Sequence, residues 1–170
     1  HGTAVVGPKW VEHAMNGVRL SQPNTASGPL VGVKVIDLSN VLAGPLCAQI
    51  LGDYGADVIK IEHPQRGDSF RTHGPMEDGI ALWWRILSRN KRCIGLYLGD
   101  PDGADVFRRL VADADVLVEN FRPGTLERWN IAPADCDPKL VWARISVFGP
   151  DGPYSHRIGL AAIGLAYGGL

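Results

Sequence analysis

The sequence lacks the features that mark membrane, secreted and nucleic-acid-binding proteins. No apolar run approaches the roughly eighteen residues needed to cross a bilayer, and no signal peptide is visible. Lys and Arg total 17 against 18 Asp and Glu, so the formal net charge of −1 provides no general attraction to nucleic acid or to a membrane surface. These deficits predict a soluble, cytoplasmic protein with no nucleic-acid or membrane partner.

Cysteine is also scarce, and metal-ligand spacing is missing. The three cysteines, Cys47, Cys93 and Cys136, lie far apart and form no C-x-x-C pair. That spacing argues against a disulfide framework and against a zinc site, and it is typical of a reducing cytosol. Cys47 and Cys93 lie in apolar runs, which predicts buried packing positions. The five histidines are scattered without ligand spacing, so no metal is predicted.

Residues 31–62 have the pattern of a strand, a helix and a second strand. The β-branched run over residues 33–38 predicts the first strand. Pro45 fits the first turn of a helix, where its missing N–H costs nothing, and Gly55 fits a left-handed cap after a helix over 46–54. Residues 58–61, apolar apart from one lysine, predict the second strand. Such a βαβ unit closes right-handed onto a parallel sheet.

The loop after the first strand, residues 39–45, contains neither the G-x-G-x-x-G pattern nor a Walker lysine. A turn so poor in glycine cannot bring backbone amides as close to a pyrophosphate, so dinucleotide binding through the usual turn is disfavoured. Glu62 ends the second strand, where a ribose-binding carboxylate would lie. Without the glycines, that carboxylate carries little weight.

Strands and helices continue to alternate along the rest of the chain. This alternation predicts an α/β domain with a doubly wound parallel sheet. The apolar patterns predict a helix over 80–88, a third strand over 93–98, a helix with Asp102 as its N-cap, a fourth strand over 116–118 and a fifth over 140–147.

Both ends of the chain indicate a piece of a longer protein. The chain begins with His1 rather than methionine, and it stops within an apolar run, residues 160–170, that predicts the start of a buried helix. A short helix is predicted over residues 10–15, followed by a polar stretch rich in Pro, Gly and Ser. Residues 1–28 are therefore interpreted as a linker or the tail of a preceding segment, and residues 29–170 as the domain.

Three loops are candidates for a binding site, because ligands of doubly wound sheets bind beyond the carboxyl ends of the strands. They are residues 39–45, 62–68 and 119–128. The third loop is the most distinctive, since it combines an amide, an aromatic ring and arginines. Asn120 can hydrogen-bond an adenine edge, Phe121 can stack on a ring, and Arg122 or Arg128 can grip a phosphate. A strand-end turn with solvated arginines remains the alternative.

Several segments recur in order as a set of motifs over residues 29–170. They are LVGVKVIDL (30–38), AGP (43–45), GADVIKIE (55–62), Arg66-Gly67-Asp68 with Arg71, Asn90-Lys91-Arg92, ADVLVENFRPG (114–124) and FGPDGPY (148–154). Together they resemble the family III CoA-transferases, the CaiB/BaiF group related to carnitine and formyl-CoA transferases.

The resemblance implies that this chain is the incomplete N-terminal part of a Rossmann-like large domain from an interlocked homodimer. The implied reaction moves CoA from an acyl-CoA donor to a carboxylic acid acceptor. An aspartate attacks the thioester and forms an aspartyl anhydride with release of CoA thiolate, so that one hard step becomes several easier ones. The family's nucleophilic aspartate lies in a later Gly-Asp motif, expected after Leu170, so no aspartate of this chain is assigned that role.

The resemblance also implies contacts to CoA, which as substrate and product is the only cofactor expected. Val41 and Leu42 correspond to the loop at the thioester, and Asn120 and Phe121 to contacts at the adenine end. His63 stands where some relatives carry an arginine for CoA, so it either faces the adenosine or is a solvated loop histidine. Phosphate partners are implied at Lys91 and Arg128.

Two positions depart from the family pattern. Leu160 stands where α-methylacyl-CoA racemases place a proton-transfer histidine, so racemase activity is disfavoured. Ala161 replaces an acidic residue, which leaves open a catalytically degenerate CoA-binding half of a tandem transferase, and residues 1–28 resemble the linker between such halves. A non-enzymatic CoA- or nucleotide-binding module is a further alternative that predicts binding without acyl exchange. A nucleotide-dependent oxidoreductase would instead require the missing glycine-rich turn.

Overall fold

The computed structural model describes residues 27–169 of the chain. The predicted helix over residues 10–15 and nearly all of the predicted linker lie outside the described residues. The strands within 27–169 are β1 (Lys34–Asp37), β2 (Asp57–Glu62), β3 (Met76–Glu77), β4 (Ile80–Ala81), β5 (Lys91–Gly95), β6 (Val116–Glu119) and β7 (Val141–Arg144).

Five of these strands form one parallel sheet in the order β5-β2-β1-β6-β7. The chain moves outward from β1 to β2 and β5, and then returns to the other side of β1 with β6 and β7. The neighbouring strands β1 and β6 therefore form the topological switch point, where a crevice opens at the carboxyl ends. The helices are α1 (Ala43–Asp53), α2 (Leu82–Leu87), α3 (Pro101–Val111) and α4 (Ala161–Gly168), with 3-10 turns at Ser69–Arg71, Glu127–Trp129 and Pro133–Asp135.

Alternate side chains of the central strands pack on opposite faces of the sheet. On β1, Val35 belongs to a core cluster with Ala48 of α1, whereas the next residue, Ile36, belongs to a cluster with Phe107 of α3. Strand side chains alternate with a period of two, so a sheet with apolar side chains on both faces needs helices on both faces. This arrangement confirms the predicted Rossmann-like, doubly wound α/β fold.

The prediction of one helix over residues 80–88 is wrong at its start. Ile80 and Ala81 pair antiparallel with Met76 and Glu77, and α2 begins only at Leu82. The cause is the Asp78-Gly79 turn, in which both residues have positive φ, of 51° and 75°. An Asp-Gly pair in that conformation is the preferred two-residue connection of a β-hairpin.

Other predicted boundaries are displaced by a few residues. The N-cap of α3 is Asp100 rather than Asp102, because Asp100 accepts from the Asp102 N–H at 2.9 Å and Pro101 occupies the first helical turn. The third strand of the sheet spans residues 91–95 rather than 93–98, and the fifth spans 141–144 rather than 140–147.

Two predictions of burial also fail. Cys93 is exposed, because β5 is an edge strand of the sheet, and Cys47 is half-buried. Within the apolar run, Ala161–Gly168 form a helix, α4, whose side chains are exposed within the described chain, with Tyr167 at 60%. Burial of this helix in the intact protein stays a prediction. Among residues 27–169, no helix is both long and apolar enough to cross a membrane.

Candidate functional site

A cavity of about 520 Å³ opens at the carboxyl ends of the parallel strands. It lies where ligands bind in doubly wound sheets, and its size suits a small-molecule site. Loops from four strands contribute to its lining. Among the lining residues are Asn40 after β1, His63 and Arg66 after β2, Tyr97 after β5, and Phe121 and Trp129 after β6.

Asn120 joins the two loops that meet at the switch point. Its Oδ1 accepts from the Asn40 N–H at 2.8 Å, and its Nδ2 donates to the Asn40 carbonyl at 2.7 Å. Both atoms of the amide that could read an adenine edge are therefore already paired with backbone. This pairing makes Asn120 a clamp between β1 and β6, and the predicted adenine contact would have to use the second N–H of Nδ2 or the second lone pair of Oδ1.

Phe121 follows the clamp and presents a half-buried ring to the cavity. Its ring packs edge-on against Trp129, with centroids 5.7 Å apart. The buried carboxylate of Glu119 fixes the turn, because its Oε2 accepts from the Phe121 N–H at 2.8 Å and its Oε1 lies 2.8 Å from Arg144 Nε. Burial raises the pKa of Glu119, and the Phe121 N–H and Arg144 oppose that shift.

Two arginines in the loops around the cavity have no carboxylate partner among residues 27–169. No carboxylate of the described residues lies within 4.0 Å of Arg66 or Arg128. Arg66 lines the cavity, and Arg128 is exposed beside Trp129 and donates to Thr125 Oγ1 at 3.2 Å. An exposed guanidinium with free N–H groups is suited to an anionic ligand such as a phosphate.

His63 lies in the cavity wall, as the prediction that it faces a ligand requires. Its Nδ1 accepts from the Gln65 N–H at 3.2 Å, and its ring packs against Tyr97 with centroids 5.2 Å apart. Burial lowers the pKa of His63, and Arg66 lowers it further. The sequence analysis did not identify Tyr97 as a site residue, because it placed Tyr97 inside the predicted third strand. An aromatic residue directly after an apolar strand would have indicated it.

Lys91 does not reach the cavity. Its side chain is fully buried, and its Nζ donates to Asp37 Oδ2 at 2.8 Å and to the Pro45 carbonyl at 2.6 Å. Burial lowers the pKa of Lys91, and Asp37 opposes that shift. The prediction that Lys91 contacts a phosphate therefore does not fit the structure, because its ammonium is buried between Asp37 and the Pro45 carbonyl in the first turn of α1.

A second buried lysine, Lys60, lies within the otherwise apolar strand β2 and has no role in the sequence analysis. Lys60 of β2 has a side chain 1% exposed, and its Nζ donates to the Ser39 carbonyl at 2.7 Å. Two buried carboxylates face it, Asp68 Oδ2 at 3.1 Å and Asp37 Oδ2 at 3.7 Å. With Lys91, these residues form a buried group of two lysines and two aspartates beneath the β1–α1 loop.

The β1–α1 loop itself carries Val41 and Leu42, the residues assigned to the thioester end. Both side chains are exposed, and they lie at the start of α1 rather than in the cavity wall. The structure thus brings His63 and Phe121 together in one cavity and places Arg128 beside it. Val41 and Leu42 lie on an adjoining loop that the clamp at Asn120 connects to the cavity.

The strand order and the cavity define a Rossmann-like domain with a candidate nucleotide-binding site built without a glycine-rich turn. The sequence model of CoA-transferase family III matches residues 30–170, so the chain belongs to that family. Within the described residues, no group of three or more His, Cys, Asp or Glu side chains is placed to hold a metal ion.

Named relatives agree with this assignment. The chain is 47% identical over 150 residues to the beta subunit of succinyl-CoA–L-malate CoA-transferase from Chloroflexus aurantiacus, covering 86% of this chain and 37% of that protein. It is 41% identical over 146 residues to human succinyl-CoA:glutarate CoA-transferase, covering 84% of this chain and 33% of the relative.

A solved structure shares the fold over the same region. It is that of a CAIB/BAIF family protein from Brucella suis, with a TM-score of 0.79 and 38% identity over 84% of this chain and 40% of that one. The chain therefore spans about two fifths or less of the length of these relatives.

Proposed function

We propose that the protein containing this chain transfers CoA from an acyl-CoA donor to a carboxylic acid acceptor. Membership of CoA-transferase family III supports the proposal, and the observation that carries it is the cavity of about 520 Å³ at the switch point, with an aromatic ring and unpaired arginines around it. The names of relatives pair succinyl-CoA with malate, citramalate or glutarate. We extend the proposal to a succinyl-CoA donor and a dicarboxylic acid acceptor.

In the proposed complex, the adenine of CoA lies against Phe121, in the cavity that His63 also lines. Arg128 binds a phosphate, because its guanidinium is exposed and has no carboxylate partner among residues 27–169. Val41 and Leu42 lie at the acyl end. Asn120 contributes by holding the β1 and β6 loops together rather than by touching the ligand.

The proposed chemistry proceeds through the side chain of an aspartate, expected after Leu170. Its carboxylate oxygen attacks the thioester carbon, the C–S bond breaks, and CoA leaves as the thiolate. The resulting aspartyl anhydride is opened by the thiolate, which gives an aspartyl-CoA thioester and frees the donor acid. The acceptor carboxylate then repeats the sequence in reverse. The residues of this chain bind and orient CoA during these steps.

We further propose that the protein acts as an interlocked homodimer in the cytoplasm. The family resemblance supports the dimer, and relatives named as alpha and beta subunits are consistent with assembly of homologous chains. Light scattering of the intact protein after size-exclusion chromatography should give twice the mass of one intact polypeptide. The mass of a single polypeptide would contradict the proposal.

An acyl-exchange assay separates the proposal from its alternatives. Intact protein is incubated with succinyl-CoA and, in turn, malate, citramalate, glutarate and acetate, and the CoA esters are separated by chromatography. We expect a new CoA ester with at least one dicarboxylic acid. Binding of CoA without any exchange would instead support a degenerate half or a binding module, and epimerisation of a 2-methylacyl-CoA would support a racemase.

Arg128→Ala tests the phosphate contact. The substitution removes a charge-assisted hydrogen bond worth roughly 1.5–3 kcal/mol, so affinity for CoA should fall about ten- to a hundredfold. Calorimetric titration of CoA into the intact protein measures it. The matched control is Arg109→Ala. Arg109 is an exposed arginine near the carboxyl end of α3, which lies toward the amino ends of the strands, away from the cavity. Equal affinities of Arg128→Ala and wild type would remove Arg128 from the site.

Phe121→Ala tests the adenine contact. Stacking of a base on an aromatic ring is worth roughly 1–3 kcal/mol, so the variant should bind 3′,5′-ADP about tenfold more weakly than wild type. This ligand has the adenine and a 3′-phosphate but no pantetheine arm. Phe148→Ala is the control, since Phe148 is also half-buried but packs with Tyr154 and Tyr167. Unchanged 3′,5′-ADP binding with altered acyl preference would mean that the two ends of the site are reversed.

A further inference from the structure

The β1–α1 loop contains a backbone conformation that its sequence disfavours. Val41 has φ of +69°, in the left-handed region. A β-branched residue rarely adopts this region, because its Cβ crowds the backbone, and glycine is the usual choice. The Val41 side chain is 46% exposed, so packing of that side chain in a core does not explain the conformation. Strained backbone persists only where the surroundings hold it, and it is concentrated at functional sites.

Side chains from outside the loop hold its backbone. The Ser39 N–H donates to Asp37 Oδ1 at 3.1 Å, and the Asn120 amide pairs with both backbone groups of Asn40. The Val41 N–H, the strained position itself, points at Asp68 Oδ1 with a separation of 3.4 Å. Each residue of this turn is therefore fixed by a side chain rather than by glycine.

Both oxygens of the Asp68 carboxylate are themselves held by contacts. Its Oδ1 also accepts from the Phe70 N–H at 2.9 Å, which caps the turn Ser69–Arg71. Its Oδ2 makes no hydrogen bond among the described residues but lies 3.1 Å from Lys60 Nζ, so this contact is an ion pair. The same ammonium donates to the Ser39 carbonyl at the other end of the turn. Lys60 thereby couples both ends of the strained turn to one buried charge.

We propose that Asp68 and Lys60 are positioning residues that hold Val41 in its left-handed conformation and so place Val41 and Leu42 for the acyl end of CoA. The inference rests on the proposed function for its ligand but not for the loop geometry. The conformation has a direct consequence for the chain path, because α1 starts only two residues later, at Ala43. If Val41 relaxed to negative φ, Leu42 would be displaced relative to the helix.

Hydrogen exchange of the intact protein tests the loop without any ligand. Asp68→Ala removes the acceptor of the Val41 N–H, and we expect exchange of the 39–42 segment to accelerate about tenfold while β2 keeps its protection. The matched control is Asp113→Ala, which removes an exposed carboxylate paired with Lys34. Unchanged exchange in 39–42 would overturn the proposal, as would an equal acceleration throughout the sheet. If Asp68→Ala fails to fold, Asp68→Asn, which breaks only the ion pair with Lys60, is compared in the same way.

Ligand binding then separates positioning from general damage. Asp68→Ala should weaken succinyl-CoA binding about tenfold and leave 3′,5′-ADP binding within twofold, since only the former reaches Val41. In a Val41→Gly background the same substitution should cost less than threefold, because glycine adopts positive φ without being held. Equal losses for both ligands, or independent effects of the two substitutions, would overturn the proposal. Failure of wild type to bind either ligand would refute the proposed function, and the exchange result would then decide the role of Asp68 alone.

Discussion

Replacing Lys60 by methionine should lower the free energy of unfolding by about 3–5 kcal/mol, the usual cost of leaving a buried charge without its partner. Methionine fills similar space but removes the ammonium that faces Asp37 and Asp68. Asp37 keeps Lys91 at 2.8 Å, whereas Asp68 is fully buried and loses the cation that faces it, so it cannot recover solvation by a small movement. Domains of this size have only about 5–15 kcal/mol in total, so the loss removes a large fraction of the margin.

Urea unfolding of the intact protein, followed by tryptophan fluorescence, measures this loss. Lys34→Met is the control, because Lys34 is a half-exposed lysine of the same sheet whose partner, Asp113, is also exposed. Solvent screens such a pair, so the control should unfold at the wild-type midpoint. A Lys60→Met protein as stable as the control would show that the buried group contributes nothing to folding.

Phe107→Ala should also cost about 3–5 kcal/mol, because it leaves a cavity between α3 and the sheet. Phe107 is 1% exposed and packs in the cluster that contains Leu38 and Ile61, the last apolar residues before two of the site loops. The loss should therefore loosen the base of the cavity as well as lower stability.

The neighbouring Val106 provides a control on the same helix, since it is 41% exposed. Val106→Ala should change the free energy of unfolding by no more than about 0.5 kcal/mol, as surface substitutions usually do. Chemical denaturation with an unchanged slope against denaturant would show that both variants unfold from the same compact state. A Phe107→Ala variant within the range of Val106→Ala would contradict the packing of α3 on the sheet.

The fold could be predicted because its local signals agree with one another. A β-branched strand, Pro45 at the start of a helix and Gly55 after it predict one βαβ unit, and the structure has that unit. The error at residues 80–88 arose because hydrophobicity was weighed there without the Asp78-Gly79 turn. Local turn chemistry determined the outcome at that point, and it was visible in the sequence.

The candidate site could be located from the sequence, but the roles of its polar residues could not be assigned. The rule for strand ends pointed to the loops that line the cavity. An amide such as Asn120 can pair with a ligand or with backbone, and the choice depends on how closely β1 approaches β6. The same holds for Lys60 and Lys91, because the partner of a lysine within a strand depends on which distant carboxylates, such as Asp68, the fold brings close to it.

A crystal structure of the intact protein with bound CoA tests the central claim most directly. The account predicts the adenine ring against Phe121 in the cavity at the carboxyl ends of β1 and β6, a phosphate within hydrogen-bond distance of Arg128, and the pantetheine arm running toward Val41 and Leu42. Asn120 should remain paired with Asn40 in that complex. CoA bound away from these strand ends, with the cavity occupied by solvent, would contradict the account.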